Sequence, residues 1–80
     1  MDELSFIELC RKRIAKYYGI DDYKTKDIYV VWLCRIIQNS KALLSTNRPD
    51  GLYFECTYNG DKRELYLDVY KQKDHFVSQI

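Results

Sequence analysis

A single apolar run, Asp27 to Gln38 (DIYVVWLCRIIQ), constrains the fold of this chain more than any other stretch. Most of its side chains are β-branched or aromatic, which favours a pleated strand. The run is too short to cross a bilayer as a helix, and Arg35 interrupts it. Strand alternation places Trp32 on one face and Val31 and Leu33 on the other, so both faces are apolar. This pattern predicts a central strand of a small sheet that is covered on both sides.

The composition fits one small domain, because the chain has only 80 residues. With 46% hydrophobic and 31% charged residues, it reads as a globular chain. A net charge of +1 gives no electrostatic argument for nucleic acid, an anionic membrane or an acidic partner. The three cysteines lack a CxxC pair and the N-terminus lacks the layout of a signal peptide, so a reduced, cytoplasmic protein is expected.

The first segment, residues 2–18, is predicted to be an amphipathic helix. Its apolar stripe has helical spacing and consists of Phe6, Ile7, Cys10, Ile14 and Tyr17. Ser5 and Glu8 fit a capping box, but Asp2 can cap a helix that begins one turn earlier, and we favour the earlier start. Gly19 suits the left-handed position after the helix, with Ile20 folding back on the last turn. Residues 21–26 are predicted to be a polar connection.

Three more strands are predicted, over residues 41–46, 52–58 and 61–70, after a first strand over 27–38, with a tail over 71–80. Asn39 and Ser40 offer a turn between the first two strands. A two-residue loop there sets Leu43 opposite Ile36, whereas a three-residue loop sets Leu44 there. We favour the three-residue loop because it keeps Arg35 away from Leu44.

The third and fourth strands are predicted to form a hairpin after the loop NRPDG (residues 47–51), in which Pro-Asp-Gly is a turn signature. Asn59-Gly60 is the pair that best tolerates a type I′ turn. That turn sets Tyr58 opposite Asp61 and makes Glu55 a direct neighbour of Glu64.

Together these elements predict an α+β fold, with an N-terminal helix packed on one face of a four-stranded antiparallel meander. The core face is predicted to comprise Val30, Trp32, Cys34, Ile36, Leu52, Phe54, Cys56, Leu65, Leu67 and Val69. The opposite face is predicted to comprise Tyr29, Val31, Leu33, Arg35, Tyr53, Glu55, Thr57, Tyr66, Asp68 and Tyr70.

The tyrosine-rich opposite face is the predicted interaction surface, since tyrosine is enriched in interfaces. The residues assigned to it are Tyr29, Val31, Leu33, Tyr53, Tyr66 and Tyr70. Either the tail, Lys71 to Ile80, covers this face, or a protein partner does. The chain is expected to be a small interaction protein, and its partner, which could be a second copy of the chain, would bind the tyrosine face or an edge strand.

Other candidate sites are weaker on sequence grounds. The basic helix face could contact phosphates, which would suit a nucleic-acid-binding accessory protein; it comprises Arg11, Lys12, Arg13 and Lys16. Glu55 with Glu64 could act in acid–base chemistry or hold a cation, but no histidine or third acid accompanies them. The cysteines are predicted to be small buried side chains and His75 to be exposed. No catalytic residue, metal, cofactor or membrane contact is predicted, so the protein is expected not to be an enzyme.

Several segments of the chain resemble a known family. They are VVW-x-C, QNSKALLST, DGLYFECTYNGDK and ELYLDVYK, with the opening FIELCRKR. Together they resemble small uncharacterised proteins encoded by bacteriophages and prophages of Gram-positive bacteria. The resemblance covers nearly the whole chain but brings no catalytic or binding residues. It implies a phage gene product in the bacterial cytoplasm, for which inhibition of a host defence or metabolic protein is an alternative role.

Overall fold

The computed structural model describes residues 2–20 and 27–79. One helix, α1 (Glu3–Tyr18), precedes four strands: β1 (Ile28–Ile36), β2 (Asn39–Thr46), β3 (Leu52–Asn59) and β4 (Glu64–Lys71). The strands form one antiparallel sheet in the order β1-β2-β3-β4, and α1 contacts β3. The predicted α+β meander is therefore confirmed. The apolar run, however, lies at one edge of the sheet and not at its centre. The predicted connection over 21–26 lies outside the described residues.

Both ends of α1 are set by local sequence. The Ser5 amide donates to Asp2 Oδ1 at 2.7 Å, which confirms the earlier helix start. Hydrogen bonds from the backbone and the side chain of Ser5 to the Asp2 carboxylate lower the pKa of Asp2. At the other end Gly19 has a φ of 74°, and the Ile20 amide donates to the Ala15 carbonyl at 2.9 Å, which satisfies a terminal carbonyl of the helix.

The core lies between α1 and one face of the sheet, which we call the helix face. Phe6, Cys10 and Ile14, spaced four residues apart, are fully buried and form one stripe of α1. The rest of the buried apolar core is Ala15, Ile28, Ala42, Leu44, Phe54 and Cys56. A hydrogen bond with Cys56 together with burial raises the pKa of Cys10, so its thiol stays protonated.

A polar latch holds the end of α1 to the loop between β2 and β3. The Tyr18 hydroxyl donates to Asp50 Oδ2 at 2.7 Å, and the Arg48 guanidinium lies 4.5 Å from the centre of the Tyr18 ring. Desolvation and the Asp50 hydrogen bond raise the pKa of Tyr18, while the same bond lowers the pKa of Asp50. The latch joins residues far apart in sequence, so it orients α1 across the sheet.

A bulge in β1 reverses the predicted facing of its second half. Val30 pairs with Leu44, but the next pair is Trp32 with Leu43, so Val31 is an extra residue. Leu33 then lies opposite the buried Ala42 on the helix face. Three predicted core residues, Trp32, Cys34 and Ile36, therefore lie on the other face, and the prediction for them is wrong. Leu33 and Arg35 were predicted to lie on the face opposite α1, but both lie on the helix face, so this prediction is also wrong.

The turn between β1 and β2 also differs from both predicted loops. Ile36 pairs with Asn39, so the turn residues are Ile37 and Gln38. Asn39 and Ser40, the predicted turn, belong to β2. Ile37 has a φ of 54°, a conformation that a β-branched residue rarely adopts. Pairing of the core residues on β1 and β2 thus fixes the register, although the turn sequence is unfavourable.

The hairpin between β3 and β4 is present, but the predicted two-residue turn is wrong. Asn59 pairs with Glu64, so residues 60–63 form a four-residue loop. The left-handed residue is Arg63, with a φ of 52°, and not Gly60. Gly60 is needed for a different reason, because a Cβ there would clash with the Gln38 carbonyl oxygen. The observed register differs from the predicted one by four residues, since Tyr58 pairs with Leu65 and not with Asp61. Because four is an even number, each β4 side chain still points to the predicted face of the sheet.

Candidate protein-binding face

The sheet face opposite α1, which we call the outer face, is ordered in rows across the four strands. The first row is Tyr29, Ser45, Tyr53 and Tyr70. The second row is Trp32, Leu43, Glu55 and Asp68, with Val31 beside Trp32 in the bulge. The third row is Cys34, Lys41, Thr57 and Tyr66. Ile36 and Asn39 follow at one end of the sheet, where Asn59 and Glu64 also pair.

Large apolar and aromatic side chains of the outer face are open to solvent. Trp32 is 41% exposed and Ile36 is 65% exposed. The other exposed members of the set are Tyr29, Val31, Tyr66 and Tyr70. Between β1 and β2 the face holds a groove of about 300 Å³, lined by Trp32, Cys34, Ile36, Lys41 and Thr57. A large exposed apolar patch is one feature that distinguishes binding surfaces from the rest of a protein surface.

The charges on the outer face are mainly negative. Lys41 Nζ lies 3.5 Å from Glu55 Oε1, so the lysine is paired within the face. Asp68 is directly opposite Glu55, and Glu64 accepts a hydrogen bond from the Tyr66 hydroxyl at 3.2 Å. Desolvation and the Glu64 carboxylate raise the pKa of Tyr66, which keeps its hydroxyl neutral. The apolar side chains belong to β1 and β2, and the acids to β3 and β4.

The tail does not close this face over residues 72–79. The amide of Gln72 donates to the Gly51 carbonyl at 2.9 Å, which continues the pairing beyond β4. Farther along, Phe76 and Val77 are 86% and 75% exposed, so neither packs against the sheet. The described part of the tail therefore does not cover the outer face.

Five of the six predicted interface residues lie on the outer face: Tyr29, Val31, Tyr53, Tyr66 and Tyr70. Leu33 is the exception, since it packs against the core. Trp32, Ile36 and Leu43 also lie on the outer face, although they were not predicted there. Cys34 was predicted to be buried, but its thiol is exposed. No local signal identifies these residues, because the run around Trp32 is apolar in either register.

The basic helix residues do not form one free surface. Arg11 is half-buried and its Nε donates to the Ile28 carbonyl at 3.2 Å, which ties α1 to β1. Lys12, Arg13 and Lys16 are exposed on α1. Of the four residues predicted to contact phosphates, Arg11 therefore holds α1 to β1, and the other three are exposed to solvent.

The predicted neighbours Glu55 and Glu64 are not paired with each other. Glu55 lies opposite Asp68 and Glu64 lies opposite Asn59. Over residues 2–20 and 27–79, no group of three or more His, Cys, Asp or Glu side chains is arranged to hold a metal ion. Within the same ranges, α1 is neither long nor apolar enough to cross a membrane. His75 is exposed, as predicted.

The profile of a family of unknown function, DUF6275, matches residues 7–80. No curated protein and no solved structure matches the chain. The phage source implied by the resemblance stays a prediction, and the outer face must be interpreted from its own chemistry.

Proposed function

We infer that this chain, which belongs to DUF6275, a family of unknown function, is a non-enzymatic protein-binding module. Its docking surface is the outer face of the sheet. The observation that carries this proposal is the exposed apolar set around the groove, above all Trp32 and Ile36, which no described segment covers. Aromatic side chains that fill or line a pocket supply most of the binding energy in many interfaces.

The size of the face supports a protein partner. Strands of eight residues in a four-stranded sheet give a face of roughly 26 by 19 Å, or about 500 Å². A standard interface buries about 800 Å² of accessible surface on each partner, which exceeds this flat area, so a protein partner would cover the whole face and extend past its rim. A small molecule would use only the groove.

The charge of the face defines the partner's chemistry. Glu55, Asp68 and Glu64 are the acids, and Lys41 is already paired with Glu55. A complementary partner presents aliphatic or aromatic side chains to the groove and lysine or arginine to the acids. The proposed partner is therefore a protein segment that is both apolar and basic. A host protein inhibited by this chain would be one such partner.

The test uses two synthetic peptides with the same leucines and isoleucines, separated by lysines in one peptide and by glutamates in the other. Trp32 is the only tryptophan of the chain and lines the groove, so its fluorescence reports binding. The lysine peptide should shift the emission to shorter wavelength and bind at least about tenfold more tightly than the glutamate peptide, a difference of about 1.4 kcal/mol.

Variants locate the binding. Ile36→Ser and Asp68→Lys, both at exposed outer-face positions, should weaken binding of the lysine peptide. Leu4→Ser is the matched control, since Leu4 is 78% exposed but belongs to α1. Equal affinity for the two peptides, or equal loss on Leu4→Ser and Ile36→Ser, would show that the outer face is not the docking surface.

A further inference from the structure

The two edges of the sheet are built differently. β1 is interrupted by the bulge at Val31, which disturbs its backbone pairing. β4 pairs with β3 without a register shift over its whole length, from Glu64 to Lys71. Since β4 is the last strand of the sheet, its second row of amides and carbonyls faces away from β3. A regular edge of this kind is a template for another strand.

The helix face is less well covered at β4 than at β3. Phe54 is fully buried, yet Val69, directly opposite it on the same face, is 37% exposed. Leu65 and Leu67 of β4 are only half-buried. A strand added at this edge, with its own apolar side chains on the helix face, would cover all three residues.

We propose that β4 pairs antiparallel with β4 of a second copy of this chain, in a register centred on Leu67. A two-fold axis perpendicular to the sheet brings each β4 residue opposite a residue whose side chain points to the same face of the sheet. Two registers overlap the strand almost completely, centred on Leu67 and on Asp68. The second sets two Asp68 carboxylates directly opposite each other, which is unfavourable.

The register centred on Leu67 is self-complementary. It sets Leu67 against its copy and Leu65 against Val69, so the exposed apolar groups of the helix face meet. On the outer face it sets Tyr66 opposite Asp68 and Glu64 opposite Tyr70, so each acid faces a tyrosine and no acid faces an acid.

This pairing joins two four-stranded sheets into one of eight strands. The outer faces of the two copies become continuous across β4, and the tyrosine and acid rows of one copy lie beside those of the other. A chain that pairs through β4 keeps its groove at β1, at the opposite edge of the sheet, so this pairing is independent of the proposed function.

The experiment combines molar mass with a site-specific crosslink. Light scattering on a sizing column should give the mass of two chains for the wild type. In a Cys34→Ser background, Leu67→Cys should form an intermolecular disulfide rapidly with oxidised glutathione. Directly opposite Cα atoms lie about 4.5–5.5 Å apart, within the range of a disulfide.

Leu65→Cys in the same background is the matched control. Its two copies would lie about four residues apart along the pair, roughly 13 Å, which a disulfide cannot span. A one-chain mass for the wild type at tens of micromolar overturns the proposal. So does equal crosslinking of Leu67→Cys and Leu65→Cys, which would indicate random collision. Failure of peptide binding at the groove leaves these readouts unchanged, so the two proposals fail separately.

Discussion

The helix face and the outer face of this sheet carry similar side chains, but those on the helix face are buried and those on the outer face are exposed to solvent. Phe54 and Cys56 are fully buried on the helix face, whereas Trp32 and Cys34 are exposed on the outer face. The side-chain types do not explain the difference, since tryptophan is at least as costly to expose as phenylalanine. What differs is the cover: α1 packs on one face, and over the described residues nothing packs on the other. An apolar face without cover is the main indication of function in this molecule.

The reactivity of the thiols should show the largest difference between the two faces. Cys34 should be alkylated in the native protein at least about a thousandfold faster than Cys10 and Cys56. The buried thiols react only after unfolding, which requires about 5 kcal/mol or more in a typical domain. Iodoacetamide labelling followed by peptide mass spectrometry measures the rates, and labelling in denaturant is the control. Similar native rates for all three thiols would mean that the helix face is not closed.

Truncation of one aromatic side chain on each face should give the next largest difference. Phe54 touches Tyr17 and Tyr18, with ring centroids 5.5 and 5.6 Å away. Phe54→Ala should therefore lower the free energy of unfolding by about 3–5 kcal/mol. Trp32→Ala, at a half-open site, should lower it by about 1 kcal/mol. Urea denaturation measures both changes.

If Phe54→Ala does not fold, Phe54→Leu provides the same comparison with a smaller loss. Equal losses for the substitutions at Phe54 and Trp32 would contradict the assignment of the outer face as an open surface.

Two tyrosine–carboxylate bonds, one on each side of the molecule, allow a subtler comparison. Asp50→Asn should lower the free energy of unfolding by roughly 1–2 kcal/mol, because Tyr18 loses a charged acceptor. Glu64→Gln should lower it less, since the Tyr66 bond is longer and exposed. Denaturation at neutral pH measures both changes, and a larger loss for Glu64→Gln would contradict the comparison.

The latch should also make stability depend on acid pH. The folded-state pKa of Asp50 is lowered, and the unfolded value is about 3.9. The stabilisation is therefore fully present above the unfolded pKa and is lost as the pH falls through the folded pKa. Asp50→Asn should flatten this part of the stability curve. An unchanged curve would show that the carboxylate contributes nothing.

The smallest expected effect concerns the turn that joins β1 to β2. Ile37→Asn should raise the free energy of unfolding by about 1 kcal/mol, because asparagine tolerates the left-handed conformation better than isoleucine does. A higher urea midpoint at unchanged m-value would show this. Ile36→Asn, one residue earlier in β1, is the control and should not stabilise. If Ile37→Asn destabilises the protein, the turn is not strained as described.

The helix could be predicted from sequence because its determinants are local. Asp2 and Gly19 lie at its two ends, and its apolar stripe repeats every four residues. The bulge at Val31 could not be predicted, because β1 is apolar on both faces and a slip of one residue looks equally favourable. The role of Gly60 was also hidden, since it depends on Gln38, far away in the sequence. The tyrosines of the outer face were thus predicted correctly, while Trp32, Cys34 and Ile36 were assigned to the core face.

The bulge at Val31 has a consequence for how sequences of this fold can diverge. Strand facing has a period of two, and the bulge takes up one extra residue. Loss of Val31 alone would therefore remove the bulge and leave the exposed and buried sets unchanged. Loss of one residue elsewhere in β1, with the bulge kept, would exchange the two sets beyond that point. A change of two residues would preserve both sets. Relatives that keep the bulge but differ by one residue elsewhere in β1 should therefore expose different side chains on the same scaffold, even where the aligned residues agree.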